Sequence, residues 1–140
     1  MSITYSEFTI ESYDQVYALW ETCDGIGLSS ADTRDAIQKY LDRNPGLSLV
    51  ACDNESVIGA ILSGHDGRRG YIHHLAVRPD YRCRGIGRQL VADCISGLQS
   101  SGIQKCHLFI FHTNTEGIEF WQRIGWTYRR DIGVVSKNIV

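Results

Sequence analysis

The strongest chemical signal in this sequence is a basic, glycine-containing turn, Arg82-Cys83-Arg84-Gly85-Ile86-Gly87-Arg88. It lies between an apolar stretch predicted as a strand and an amphipathic stretch predicted as a helix. Glycine has no side chain to block a ligand, so backbone N–H groups at the start of the helix can point at an oxyanion, and the arginines add positive charge. We therefore interpret residues 82–88, called the cradle below, as an anion site whose expected occupant is a pyrophosphate.

The spacing of the glycines excludes two other phosphate-binding loops. A P-loop requires Gly-x-x-x-x-Gly-Lys-Ser/Thr, and no Lys-Ser or Lys-Thr follows the glycines here. A dinucleotide fingerprint requires a third glycine where Leu90 stands, within an early βαβ unit that is not evident. Neither NTP hydrolysis nor NAD binding is expected. The alternative that needs no ligand is a tight turn with solvated arginines.

Length and composition predict one domain spanning residues 1–140. The chain has 140 residues, 43% of them hydrophobic and 21% charged, with two prolines, which suits a single core. The net charge of −2 provides no overall basic field, so nucleic acid is not an expected partner. No apolar run approaches the roughly 18 residues of a membrane span, so no membrane partner is expected either.

The cysteines and histidines predict free thiols and no metal site. Five cysteines form no Cys-x-x-Cys pair, and no signal-like apolar segment precedes them, so we expect a cytoplasmic protein. His73 and His74 are adjacent and should diverge on a strand, and no cysteines have the spacing of a tetrahedral site.

Apolar periodicity predicts four helices and seven strands. Helices are predicted after Ser12, from Ser29 to Pro45, from the cradle to Ser101, and from about 115 to 124. The third helix carries an apolar stripe, Ile86 to Leu98, that needs a sheet to cover it. Strands are predicted at 3–8, 47–52, 57–62, 71–77, 106–111, 126–130 and 134–140.

Element order and three motifs together resemble the GCN5-related N-acetyltransferases. The motifs are Leu75-Ala76-Val77, Arg82-x-x-Gly85-x-Gly87 and Asn114-x-x-Gly117-Ile118-x-Phe120-Trp121-x-x-x-Gly125-Trp126. The glycine-rich stretch 64–70 is similar to the small bacterial YpeA-like branch. The resemblance implies an α/β fold with a mixed, mostly antiparallel sheet of about seven strands, flanked by four helices, whose central parallel strands splay apart.

The resemblance also implies acetyl-CoA as cosubstrate, with no metal. Pantetheine would lie between strands 71–77 and 106–111, and the N–H of Val77 would polarise the thioester carbonyl. Asn114 would reach the pantetheine arm, cap the next helix, or do both. The implied cofactor-binding residues are Leu75, Ala76, Val77, Arg82, Cys83, Arg84, Gly85, Ile86, Gly87, Arg88, Asn114 and Trp121.

The sequence departs from the family at Trp121, where many members have a tyrosine that protonates the leaving thiolate. An indole N–H donates a hydrogen bond but does not titrate usefully, so Trp121 can at most solvate a thiolate. It otherwise fits a core or pocket-wall position. Tyr128 is the candidate substitute acid, and its alternative is a packed strand residue.

A protonated amine must lose a proton before or during attack, so a base is expected. His73 is the first candidate, because period-two alternation would place it on the same strand face as Val77. His74 should then point to the other face and is the second candidate. His112 and Asp66 are weaker candidates, because loop geometry cannot be fixed from sequence.

The sequence thus predicts an enzyme, an N-acetyltransferase that moves acetyl from acetyl-CoA directly to a primary amine. The acceptor is unidentified, a small molecule or a protein, and the resemblance implies that the region around residues 20–40 selects it. A last strand at 134–140 would offer an edge with which a second copy could pair, so a homodimer is one option and the oligomeric state is left open. The alternative is a non-catalytic acyl-CoA sensor or interaction module of the same fold.

Overall fold

The computed structural model describes residues 2–140, which divide into two compact units, one ending at Phe109 and one spanning Ile110–Val140. The single domain over 1–140 stays a prediction. The first unit contains β1 (Ile3–Glu7), α1 (Tyr13–Thr22), α2 (Arg34–Arg43), β2 (Leu49–Asp53), β3 (Ser56–His65), β4 (Gly70–Val77), α3 (Ile86–Ser100) and β5 (Cys106–Leu108). It also has three 3-10 turns, Ile10–Ser12, Ser30–Asp32 and Pro79–Tyr81. The second unit contains α4 (Thr115–Arg123).

The five strands form one mixed sheet in the order β1-β2-β3-β4-β5. The first four are antiparallel neighbours, whereas β4 and β5 run parallel. The parallel pairing covers only three residues and ends at Ile72 opposite Leu108, although β4 continues to Val77. The predicted splay between the central parallel strands is therefore confirmed.

Helices cover both faces of this sheet. Neighbouring residues on a strand point to opposite faces, and in β3 these are Gly59 and Ala60. A Cβ at Gly59 would lie 3.3 Å from Leu90 of α3, whereas Ala60 belongs to the core cluster that contains Val16 of α1 and Ile37 of α2. The predicted apolar stripe of α3 is buried at Ile86, Leu90, Val91, Cys94 and Leu98.

The sheet has five strands in the described residues, not about seven. Residues 126–130 and 134–140, both predicted as strands, form no regular element, and β5 ends at Leu108 instead of 111. A strand exists only where a neighbour completes its hydrogen-bond ladder, and an apolar pattern cannot supply that neighbour. Val135 is completely exposed. The strand edge expected to pair with a second copy is therefore not formed.

Candidate functional site

The cradle has the backbone geometry of an anion site. Cys83 and Gly85 have positive φ angles, 62° and 79°, which turn the chain sharply into α3. Gly85 is the N-cap, and no side chain caps the helix. The first amide bonded within the helix is that of Gln89, so the N–H groups of the first turn have no helical partner. A Cβ at Gly85 would meet nothing within 4 Å, so the space in front of the turn is open.

The arginines of the cradle have different surroundings. Arg82 donates through Nε to the carbonyl oxygen of Val77 at 3.0 Å, and its Nη2 lies 3.6 Å from the sulfur of Cys23. Arg84 lies over the ring of Tyr81, 5.1 Å from its centroid. Arg88 is exposed on the first turn of α3. The guanidinium of Arg82 thus fixes the cradle to the end of β4, while Arg88 extends into solvent.

The backbone N–H of Val77 faces the opening between β4 and β5. The amide of Arg78 donates to the carbonyl of Ile58 at 2.8 Å, so the directly opposed pair Gly59 and Val77 is a non-hydrogen-bonded pair of the ladder. The N–H of Val77 therefore points away from β3, to the side where pairing with β5 has already ended. This orientation fits the predicted carbonyl-polarising role.

A β-bulge overturns the predicted faces of the two histidines. Leu62 pairs with His73 but Ala60 pairs with Ala76, so β4 contains one extra residue at this point. His74 takes up the extra residue in a left-handed conformation with φ of 51°. Because the bulge breaks the alternation, His73 shares a face with Ala76 and not with Val77.

Both histidine side chains lie on the side of the sheet covered by α1 and α2. The ring of His73 is 6.0 Å from that of Tyr40 in α2, and the ring of His74 is 5.0 Å from that of Trp20 in α1. The expectation that His74 points to the opposite face from His73 is therefore wrong. Burial lowers the pKa of His73 below its ordinary value, and neighbouring His74 lowers it further, while Asp32 opposes the shift.

The pairing of Asp32 with His74 is the feature of this site that sequence reasoning missed. Asp32 ends the 3-10 turn Ser30–Asp32 and is buried, and its Oδ1 lies 2.8 Å from Nε2 of His74. Its Oδ2 accepts a hydrogen bond from the amide of Ser29, in a capping box. The Ser29-x-x-Asp32 spacing predicts a cap, but nothing local predicts a partner 42 residues away.

Three predicted site residues belong to the second unit. Asn114 caps α4, since its Oδ1 accepts from the amide of Gly117 at 3.0 Å. Trp121 packs edge-to-face against Trp126, with ring centroids 4.8 Å apart. The ring of Tyr128 lies under the guanidinium of Arg130. The cap and the packed indole are the alternatives that the sequence left open for Asn114 and Trp121.

Residues 2–140 contain neither a membrane-spanning helix nor a metal-binding cluster of side chains. None of the helices there is long and apolar enough to cross a membrane. Across the same residues, no group of three or more His, Cys, Asp or Glu side chains is arranged to hold a metal ion.

Comparison with known proteins agrees with the fold. The chain is 30% identical to acetyltransferase SG1711 of Sodalis glossinidius, over 95% of this chain and 93% of the relative. It is 32% identical to acetyltransferase ECA0875 of Pectobacterium atrosepticum, over 84% of this chain and 82% of the relative. The structure of PaiA N-acetyltransferase from Thermoplasma acidophilum in complex with coenzyme A superimposes with a TM-score of 0.80. The superposition covers 95% of this chain and 94% of that protein, at 20% identity. Residues 13–126 match the Acetyltransferase (GNAT) family, and the chain belongs to that family.

Proposed function

We propose that this protein is an N-acetyltransferase that binds acetyl-CoA and transfers its acetyl group directly to a primary amine. The observation that carries the proposal is the cradle at the start of α3, joined through Arg82 to the strand end where Val77 turns its N–H toward the opening beside β4. The cradle would hold the pyrophosphate, and the end of β4 would face the acyl group. Acetyl-CoA supplies an activated thioester, whose carbonyl becomes more negative as an amine attacks.

The residues present suit such a ligand. The helix N-terminus carries unpaired N–H groups and a positive partial charge, and the basic side chains of the cradle add to it. A preorganised donor at a developing negative charge is typically worth about 3 kcal/mol of barrier, and the Val77 N–H is such a donor. Leu75, Ala76 and Val77 are proposed to line the pantetheine arm.

The remaining roles rest on the family resemblance and are proposed with it. Asn114 and Trp121 are proposed to contact the cosubstrate, and Tyr128 to protonate the leaving thiolate. A histidine of β4, His73 or His74, is proposed as the base that takes the proton of the amine. The acceptor is a small-molecule or protein amine, and five free thiols support a reducing, cytoplasmic setting.

The first experiment measures the thermal midpoint with and without acetyl-CoA. A ligand that binds only the folded state raises the midpoint in a saturable manner. The test variant is Gly85→Glu, which places a negative side chain in the cradle. The control is Gly102→Glu, because Gly102 has a similar φ of 83° and equally open surroundings but follows the C-terminal end of α3. Both variants carry a similar backbone penalty, so the difference between their shifts on adding acetyl-CoA reports the cradle.

We expect acetyl-CoA to stabilise the wild type and Gly102→Glu, and not Gly85→Glu. Thiol release from acetyl-CoA is then followed with spermidine, lysine, phenethylamine and an N-terminal Ser-Ala peptide as acceptors. Release with any of these supports the enzyme. Saturable binding without release across the panel favours a sensor, which Trp121 would suit. No stabilisation at millimolar acetyl-CoA would refute the proposal.

A further inference from the structure

We infer that His74, oriented by Asp32, is the group that accepts the proton lost by the acceptor amine. The inference rests on the proposed function and assigns its base. It replaces the ranking of the two histidines that alternation along β4 predicted, because that ranking assumed a strand without a bulge.

The hydrogen bond between the two side chains sets the protonation pattern of the imidazole. An ionised carboxylate can only accept, so Nε2 of His74 carries the hydrogen that it donates to Oδ1 of Asp32 over 2.8 Å. In the neutral ring the lone pair then lies on Nδ1. Within residues 2–140 no group forms a hydrogen bond with Nδ1, so this nitrogen is available to an amine or to a bridging water.

Asp32 is held in the position from which it orients the His74 ring. Its side chain is only 6% exposed, and each of its oxygens accepts one hydrogen bond, from Ser29 and from His74. Its backbone carbonyl accepts another from the hydroxyl of Tyr13. A carboxylate fixed in this manner holds the imidazole in one tautomer and stabilises the imidazolium that forms when Nδ1 takes a proton.

The conformation of His74 shows that this arrangement is maintained against a backbone cost. A non-glycine residue in the left-handed region costs about 1 kcal/mol or more and persists where surrounding contacts fix it. Asp32 and the edge-to-face contact with Trp20 are those contacts. The bulge thereby brings His74 onto the side of the sheet where the connection between α1 and α2 supplies the carboxylate.

His73 lacks such a partner. No side chain or backbone group within residues 2–140 forms a hydrogen bond with its ring, and its contacts are with the rings of Tyr40, His74 and Phe109. A proton placed on His73 would be half-buried without a carboxylate bonded to it. A proton placed on His74 is paired directly with Asp32.

Acetyl transfer to the amine, with proton transfer to His74, needs no further reactant. The amine nitrogen forms its bond to the acetyl carbon, the electron pair of the broken C–S bond stays on sulfur, and the proton leaves the nitrogen for Nδ1 of His74. The thiolate later takes up a proton, and His74 returns its own to solvent.

The test uses S-bromoacetyl-CoA, which needs no acceptor amine. A nucleophile near the acyl group displaces bromide and keeps the remaining group through a new bond to carbon, so peptide mass spectrometry locates it. We expect modification of Nδ1 of His74 in the wild type, suppressed by excess CoA. Asp32→Asn should slow it by about tenfold or more, because the amide no longer stabilises positive charge on the ring. In His73→Gln the label should still be found on His74, because the inference assigns the proton to His74 and not to His73.

Nitrogen NMR of the wild-type histidine rings gives a second measurement that no misfolded variant can obscure. We expect His74 as the Nε2–H tautomer when neutral. CoA-protected labelling of His73 or Cys83 alone, or an Nδ1–H tautomer of His74, would overturn the inference while leaving the acetyl-CoA site intact. Absence of CoA-protected labelling anywhere, together with no acetyl-CoA stabilisation, would overturn the proposed function as well.

Discussion

The guanidinium of Arg82 donates through Nε to the carbonyl oxygen of Val77, so the anion cradle and the end of β4 are joined by one side chain. Val77 uses its carbonyl for this bond and turns its N–H toward the opening beside β4. Arg82 therefore holds the Val77–Arg78 peptide group, which adjoins the peptide group whose N–H faces the proposed acyl site.

Arg82→Lys should weaken acetyl-CoA binding more than the charge-matched Arg88→Lys. Lysine keeps the positive charge but cannot reproduce the directed Nε–H donor, so the end of β4 loses its tie to the cradle. We expect the dissociation constant to rise about fivefold to tenfold for Arg82→Lys, the size of one lost hydrogen bond, and about twofold or less for exposed Arg88→Lys. Calorimetric titration with acetyl-CoA measures both. An equal rise in the dissociation constant for the two variants would mean that Arg82 contributes only its charge to acetyl-CoA binding.

The five thiols should differ widely in reactivity. Burial raises the pKa of Cys94 to about 12 and that of Cys106 to about 11, so at pH 8 about one molecule in a thousand or fewer carries either thiolate. Cys83 is exposed within the cradle. Ellman's reagent should therefore modify Cys83 in a fast phase, with Cys94 and Cys106 reacting only after denaturation.

Two controls complete the thiol experiment. Cys83→Ser should remove the fast phase, and saturating acetyl-CoA should slow it in the wild type, because Cys83 lies in the proposed pyrophosphate site. A fast phase that survives Cys83→Ser would contradict the assignment.

The strand-to-helix turn at the cradle could be predicted from sequence because the residues that determine it are local. The glycines, the arginines and the strand-to-helix change all lie within residues 77–90, and the free amides of α3 follow from where the helix begins. The antiparallel run of β2, β3 and β4 was predictable for the same reason, since short turns connect these strands.

The pair formed by Asp32 and His74 could not be predicted in this way. It depends on an extra residue in β4 that a non-glycine residue accommodates, and on a partner from a distant turn. Period-two alternation has no means of detecting an inserted residue. Strands after β5 were overpredicted because Val134, Val135 and Ile139 match an apolar strand pattern, which says nothing about a pairing neighbour.

In the second unit, the cap of α4 should show strong coupling between Asn114 and Gly117. A Cβ at Gly117 would lie 2.7 Å from Nδ2 of Asn114, so Gly117→Ala must displace the capping amide. In the wild type, Asn114→Ala should cost about 1 kcal/mol of stability. In the Gly117→Ala background the same change should cost nearly nothing. A double-mutant cycle of urea unfolding measures the difference, and additive losses would show that the cap tolerates the methyl group.

The pKa of His73 makes folding stability depend on pH. Burial is the largest cause of its depression below 6.5, His74 adds to it, and Asp32 acts in the opposite direction. Well above pH 6.5 the ring is neutral in both folded and unfolded chains and contributes no pH dependence. As the pH falls below 6.5, the unfolded chain takes up a proton more readily than the folded chain, so stability is lost.

His73→Gln should remove that contribution, because glutamine does not titrate. The free energy of unfolding, measured in urea from pH 7.5 to 5.0, should therefore fall less steeply for His73→Gln than for the wild type below pH 6.5, with similar slopes above it. The control is His112→Gln, since His112 is exposed and should leave the wild-type slope unchanged. Parallel curves for wild type and His73→Gln would mean that the folded protein accepts a proton on His73 as easily as the unfolded chain does. In that case burial of the ring would not be limiting its protonation, and the argument that separates His73 from His74 as proton acceptor would lose one of its supports.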